Sequence, residues 1–315
     1  MIDFRYHIVS IVAIFFALGA GVVLGAGPLK GTGSELVASQ AEKDRQQLAD
    51  ARQELTDVKS LDKYRDDYVA KVTAGLTNGK LTGKKIVVVT MPNADGDLAN
   101  TLTEELETAG GQVTTRVALD SKLFDAGQRQ LVEQLVTELV TADIDIPADS
   151  TTYERAGLIL ARGLAAKEEG KAADAESTKI VSGLTGSKLL SLKPSQVKDR
   201  ASLFVVVAAK PPTPLPDNSS YNDSVDFIEG LDQGSGGVVV AGTPVTAKTG
   251  GLVKALRSDS DATKIVSSVD VADIPAGQAT VVFSLAEQAS GKAGQYGAFD
   301  AKNGVAPSDV QTKDN

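Results

Sequence analysis

The chain has 315 residues, enough for one large domain or two modest ones. Its formal net charge of −9 argues against a nucleic-acid partner, because nothing in this charge balance would neutralise phosphates. There is no cysteine, which excludes disulfide bonds and thiolate chemistry. Charged residues make up 23% of the chain and hydrophobic residues 42%, which is typical of a globular protein.

The N-terminal segment is the strongest signal in the sequence. No Asp, Glu, Lys or Arg occurs between Arg5 and Lys30, and residues 8–29 are predicted to form a transmembrane helix, since about 20 apolar residues cross a membrane. The alternative is a cleaved signal peptide, whose apolar region would be only about 7–15 residues long. Arg5 favours a cytoplasmic location for the leader, residues 1–7. We therefore expect a single-pass plasma-membrane protein with most of its mass outside the cytoplasm.

Small residues recur within this apolar segment. Ala17, Gly21 and Gly25 are spaced four residues apart, and such a face lets two helices approach closely in the lipid bilayer. These three residues are the candidates for a helix–helix contact. The alternative is that glycine is simply common in membrane segments.

Residues 34–76 are predicted to form one long helix that begins after a flexible break at residues 30–34. Residues 35–73 contain neither Pro nor Gly, and apolar residues recur at three- and four-residue spacing, with a phase shift that resembles a stutter. Charges of both signs flank the apolar positions, which favours a coiled coil with a second copy or a partner. The alternative is a helix that packs on its own domain. The predicted contact residues are Leu48, Leu55, Val58, Leu61, Tyr64 and Tyr68.

Strand and helix patterns alternate after the long helix. A strand at 86–90, a helix at 97–109 capped by Asp97, and a strand at 113–119 form a βαβ unit, which implies parallel strands. We predict that residues 84–299 form one α/β domain with a Rossmann-like open, mostly parallel sheet and helices on both faces, followed by a disordered tail at 300–315. The remaining predicted strands are 203–209, 238–241 and 264–271; the remaining helices are 126–141, 153–166, 173–182, 221–231, 244–256 and 275–289.

The sequence offers no pattern that carries catalysis. The loop after the first strand lacks a glycine-rich phosphate motif and carries Asp95 and Asp97 instead. His7 is the only histidine, and it lies at the predicted membrane boundary. Copper prefers thiolate, thioether and imidazole ligands, and these are limited to Met1, Met91 and His7. We therefore predict no enzyme, no catalytic or metal-binding residue and no cofactor.

Two blocks of the sequence resemble a known family. The N-terminal block MIDFRYHIVSIVAIFFALGAGVVLGAGPL contains DFRYH at residues 3–7, and the C-terminal block PAGQATVVFSLAEQASGKAGQYGAF contains AEQxxGxxGxYG. With the coiled-coil-like helix between them, these blocks resemble the actinobacterial copper transporter family of MctB over residues 1–299. Within it, the chain is most similar to the corynebacterial cell-separation branch of SteB.

The resemblance implies one of two roles. The mycobacterial branch of the family is linked to copper efflux. The corynebacterial branch is linked to cell separation, where it works with a membrane partner of the SteA type to control a peptidoglycan hydrolase of the RipA type. Because copper ligands are scarce here, we expect a non-enzymatic scaffold of cell separation, as a homodimer, with copper transport as the alternative. A third hypothesis is an envelope domain that binds a small ligand at the switch point of its sheet.

Overall fold

The computed structural model describes residues 4–26 and 29–308. It divides into two compact units, Met1–Arg65 and Asp66–Asn315, and the boundary between them lies within the second helix of the chain. Each unit is described by itself below.

The first unit is helical. Helix α1 is Phe4–Ala26, and helix α2 is Leu29–Thr77 with 49 residues. Helix α2 begins earlier than predicted, so the expected break at residues 30–34 is helical. Each glycine there costs only about 1 kcal/mol in a helix, and the many strong helix formers that follow offset it. Side-chain pairs one turn apart, such as Arg65 with Asp62 at 2.9 Å, add small contributions.

The second unit is built on a seven-stranded sheet in the order β3-β2-β1-β4-β5-β6-β7. All neighbouring strands are parallel except β2 and β3, which are antiparallel. The predicted α/β class with an open, mostly parallel sheet is therefore confirmed. The strands are β1 Lys85–Thr90, β2 Gln112–Leu119, β3 Leu190–Lys193, β4 Leu203–Val207, β5 Val238–Ala241, β6 Ser267–Val269 and β7 Gln295–Tyr296.

Helices cover both faces of the sheet. Because side chains alternate along a strand, Val87 and Val89 of β1 pack into one apolar cluster and Ile86 and Val88 into the other. The helices of this unit are α3 Gly96–Thr108, α4 Arg129–Leu139, α5 Thr152–Leu164, α6 Ala175–Gly186, α7 Asn222–Gln233, α8 Leu252–Ser258, α9 Ala262–Ile265 and α10 Pro275–Gln288. Helices α3 and α10 pack on one face, while α4 to α8 pack on the other.

Four further sequence predictions need correction. The helix predicted at 244–256 is two pieces, a short 3-10 helix at Pro244–Ala247 and α8. The strand expected at 264–271 is only β6, because the end of α9 occupies residues 264–265. The cap of α3 is Asp95, which accepts a hydrogen bond from the Asp97 N–H at 3.0 Å, and not Asp97. Residues 300–308 are not disordered: the Asn303 N–H donates to the Gln295 carbonyl at 3.0 Å, and Pro307 is buried. Residues 309–315 of the predicted tail lie outside the described residues.

Candidate functional site

Helix α1 has the length and composition of a membrane span. Within it, Tyr6–Gly25 has a mean hydropathy of 2.6, and its side chains are exposed. This finding fits a single-pass membrane anchor. Ala17, Gly21 and Gly25 are exposed, and a Cβ added at either glycine would have no described atom within 4 Å. This side of α1 is therefore open to a second helix.

The predicted contact residues of α2 are all exposed. Residues 37–65 of α2 are exposed without exception. The exposed fractions are 52% for Leu48, 54% for Leu55, 45% for Val58, 55% for Leu61, 68% for Tyr64 and 60% for Tyr68.

These six side chains form two stripes along α2. A regular helix turns by about 100° per residue, so Leu55 lies about 20° around the axis from Leu48, whereas Tyr64 lies about 160° away. Leu48, Leu55 and Val58 form the first stripe. The second stripe, on nearly the opposite side, contains Leu61, Tyr64 and Tyr68. One straight partner helix would therefore contact only one stripe at a time.

The first stripe has a heptad pattern with charges arranged around it. With Leu48 and Leu55 at the a positions and Val58 at d, the e positions are basic, and the g position of the central heptad is Glu54. Asp44 and Ala51 occupy the other d positions, so the stripe is weaker than one made of leucine throughout. The basic e residues are Arg45, Arg52 and Lys59.

The soft and imidazole ligands for copper are few and scattered. His7 lies on α1, and Met91 is buried at the end of β1. Met1 is outside the described residues. Within residues 4–26 and 29–308, no group of three or more His, Cys, Asp or Glu residues is arranged to hold a metal ion.

The carboxyl edge of the sheet carries a cleft whose lining residues could not be predicted from the sequence. It has a volume of about 370 Å³ and opens between the loops that follow β1, β2 and β4. Phe124, Tyr221 and Ser224 line it, although none of them belongs to a recognisable motif. The only signal in the sequence was the general rule that ligands of open α/β sheets bind at this edge.

The C-terminal block AEQxxGxxGxYG has a structural role. Gln288 donates to the Ser267 hydroxyl at 2.9 Å, and the Tyr296 hydroxyl donates to Glu287 at 2.6 Å. A Cβ at Gly297 would overlap with the Asp270 carboxylate, which explains why glycine stands there. These contacts hold α10 and β7 against β6, and they are made by residues of the C-terminal block.

The fold thus defines a class of protein: an α/β domain joined by one long exposed helix to a single apolar span. Residues 1–307 match the family described as copper transport outer membrane protein, MctB, so the chain belongs to this family. Proteins named copper transporter MctB from Mycobacterium tuberculosis and Mycobacterium bovis are 25% identical to it over 312 residues. Their counterpart from Mycobacterium leprae is 24% identical. The alignments cover 94% of this chain and 96% of each relative.

Proposed function

We propose that this chain is a non-enzymatic component of copper transport in the cell envelope. Membership of the MctB family over residues 1–307 is the observation that carries this proposal, together with the name of the mycobacterial relatives. Helix α1 would anchor the chain in the plasma membrane with a cytoplasmic N-terminus, and the α/β domain would lie outside. Copper is the cargo in this proposal, and the chain itself needs no resident metal.

The ligand chemistry favours a role in assembly over a role as the copper carrier. Cu(I) prefers thiolate and thioether ligands, and Cu(II) prefers imidazole. The whole sequence has no Cys, two Met and one His. A copper pathway would therefore draw most of its ligands from partner proteins, which this chain brings together through its exposed helix.

A gene deletion tests the copper proposal directly. Cells without the protein are expected to accumulate copper and to stop growing at a lower copper concentration than the parent. Complementation with Leu48→Asp plus Leu55→Asp should fail, because charges on the first stripe of α2 prevent apolar contact. The matched control is Gln46→Asp plus Gln53→Asp, which adds the same charges at exposed positions of α2 and should complement. Unchanged copper content and tolerance in the deletion strain would rule the proposal out.

The exposed apolar stripes of α2 favour a second candidate function, in cell separation. We infer a scaffold as the alternative to the copper proposal. In this function the chain binds a membrane partner of the SteA type and activates a peptidoglycan hydrolase of the RipA type. Such a scaffold needs an anchor, a docking helix and no metal ligand. In this case the deletion strain would grow as unseparated chains of cells at ordinary copper levels. Recovery of both partners with the wild-type chain, and their loss with the Leu48→Asp plus Leu55→Asp variant, would support it; unchanged recovery would refute it.

In both functions we propose that the chain works as a parallel homodimer. In a parallel pair, Glu54 at g faces Lys59 at e of the second copy, which is an attractive contact. An antiparallel pair would place Arg45, Arg52 and Lys59 against one another. The open face of Ala17, Gly21 and Gly25 on α1 would supply a second contact within the bilayer.

A further inference from the structure

The cleft at the carboxyl edge of the sheet lies at the switch point of the fold. After β1 the chain forms β2 on one side of β1. It later returns to form β4 on the other side of β1. The connections that leave β1 and β4 therefore run in opposite directions and leave a crevice between them. The Met91 N–H donates to the Val207 carbonyl at 3.0 Å, which fixes the start of one loop against the end of the other strand.

The apolar wall of the cleft is fixed in place. The ring of Phe124 stacks on Tyr153 and meets Phe227 edge to face, with centroid distances of 5.7 Å in both cases. Three more apolar side chains line the cleft. Met91 and Leu252 are buried, and Tyr221 is partly buried. A volume of about 370 Å³ is at the lower end of the range for small-molecule sites. The wall suits a flat apolar group.

Polar side chains in the lining have unused hydrogen-bonding capacity. Ser224 is only 5% exposed and lines the cleft, yet its hydroxyl makes no hydrogen bond with another described residue. The side chains of Asn93 and Ser121 also line the cleft without a hydrogen bond within the described chain. These polar side chains are therefore available to bind a ligand in the cleft.

The charge of the lining is positive. Lys210 is the one charged side chain among the described lining residues. It lies 4.0 Å from Asp95, and the two side chains are 66% and 45% exposed, so water screens this pair and leaves the ammonium group able to meet a ligand.

We propose that this cleft binds a small amphipathic anion that has a planar apolar body and one carboxylate. The apolar body lies against Phe124 and Tyr221. The carboxylate faces Lys210, and the hydroxyl of Ser224 and the amide of Asn93 donate to its oxygen atoms. This binding is separate from the proposed function, since it uses neither α1 nor α2.

The test uses the full-length protein in lipid nanodiscs with 2-naphthoate as the probe and hydrogen–deuterium exchange as the readout. Exchange is resolved along the chain, so probe dissolved in the lipid does not obscure the result. Slower exchange is expected in residues 91–96 and 208–225. 2-Naphthol, which has the same rings without the carboxylate, should protect these segments only at about tenfold higher concentration.

Two variants and a control decide the outcome. Ala209→Phe fills the cleft and should abolish protection, provided that its circular dichroism matches the wild type. Lys210 lies on the surface, so the Lys210→Glu variant should fold normally. This variant should need at least about tenfold more naphthoate for half-protection than the wild type. Lys122→Glu makes the same charge change at an exposed position outside the lining and should have no effect.

Three results would overturn the proposal. The first is no protection by millimolar naphthoate, and the second is protection confined to other segments. The third is equal protection by naphthol and naphthoate, together with equal half-protection concentrations for Lys210→Glu and the wild type. That result would show that the cleft does not recognise the carboxylate.

Discussion

Arg257 and Asp270 form an ion pair in the interior of the α/β domain, with Nη1 and Oδ2 2.6 Å apart and the side chains 3% and 0% exposed. The remaining polar atoms of both groups have partners. Arg257 Nε donates to the Ser268 hydroxyl at 2.8 Å, and Nη2 donates to the Tyr296 carbonyl at 2.6 Å. Asp270 accepts hydrogen bonds from the backbone N–H groups of residues 298 and 299. The pair therefore ties α8 and β6 to the C-terminal segment.

Loss of this pair should destabilise the domain strongly. Arg257→Met leaves the Asp270 carboxylate buried without its cation, and we expect a loss of about 3–5 kcal/mol in the free energy of unfolding. Lys254→Met is the matched control, because Lys254 pairs with Asp300 at the surface at 2.6 Å and contributes at most about 1 kcal/mol. Chemical denaturation followed by tyrosine circular dichroism measures both. Equal losses in the two variants would contradict this account of the buried pair.

Two glycines bring α5 and α7 into backbone contact. A Cβ added at Gly157 would lie 2.1 Å from the Phe227 carbonyl oxygen, and a Cβ at Gly230 would lie 2.0 Å from the Glu154 carbonyl oxygen. Gly157→Ala should therefore force the helices apart and lower stability by about 1–3 kcal/mol or more. Gly186→Ala, which meets no described atom within 4 Å, should be nearly neutral. A thermal melting point for Gly157→Ala equal to that of the control would show that the helices separate at little cost.

Carboxylates on α7 should make stability depend on pH. Burial raises the pKa of Asp232 to about 7, although the Val238 N–H and Lys167 act in the opposite direction. The native state then holds a proton that the unfolded chain has lost above about pH 4, so stability falls as the pH rises from about 4 to about 7. Burial also raises the pKa of Glu229 to about 7, with nearby carboxylates adding to the shift.

Asp232→Asn removes this titration while keeping an oxygen for the Val238 N–H. At pH 7.5 the variant should be more stable than the wild type by on the order of 1 kcal/mol, after allowance for screening by water. Its advantage should shrink towards pH 4.5. Asp149→Asn, at an exposed loop position, is the control and should show no such pH-dependent gain. A constant difference between Asp232→Asn and wild type at all pH values would disprove the assignment.

The proposed parallel dimer can be tested by cross-linking because the natural chain has no cysteine. Leu48→Cys places one thiol on the first stripe of α2, and in a parallel, in-register pair the two thiols are opposite each other. Mild oxidation of membranes should therefore give a disulfide-linked dimer. Gln53→Cys lies at an f position, away from the stripe, and should remain monomeric under the same conditions. Equal cross-linking of both variants would show random collision and not a helix pair.

Elements with a strong local pattern could be predicted from the sequence. Strand β5 and helix α10 were predicted within one residue of their bounds, because an apolar β-branched run and a proline-initiated helix are set by neighbouring residues. Strands β3 and β7 were not predicted. They have four and two residues, and each pairs with only one neighbouring strand. Such pairing depends on hydrogen bonds to residues far away in the chain. A strand of two to four residues is also too short to show an alternating pattern of apolar residues.

The candidate sites divide in the same way. The apolar span and the candidate contact residues of α2 depend on spacing within one helix, so they could be predicted from the sequence. The residues that line the cleft could not be predicted from the sequence, because they come from separate segments of the chain. They include Asn93, Phe124, Lys210 and Ser224. Only the strand order, with β1 between β2 and β4, brings these side chains to one crevice. Spacing along the chain fixes the face of a helix, but only the packed sheet fixes which loops become neighbours.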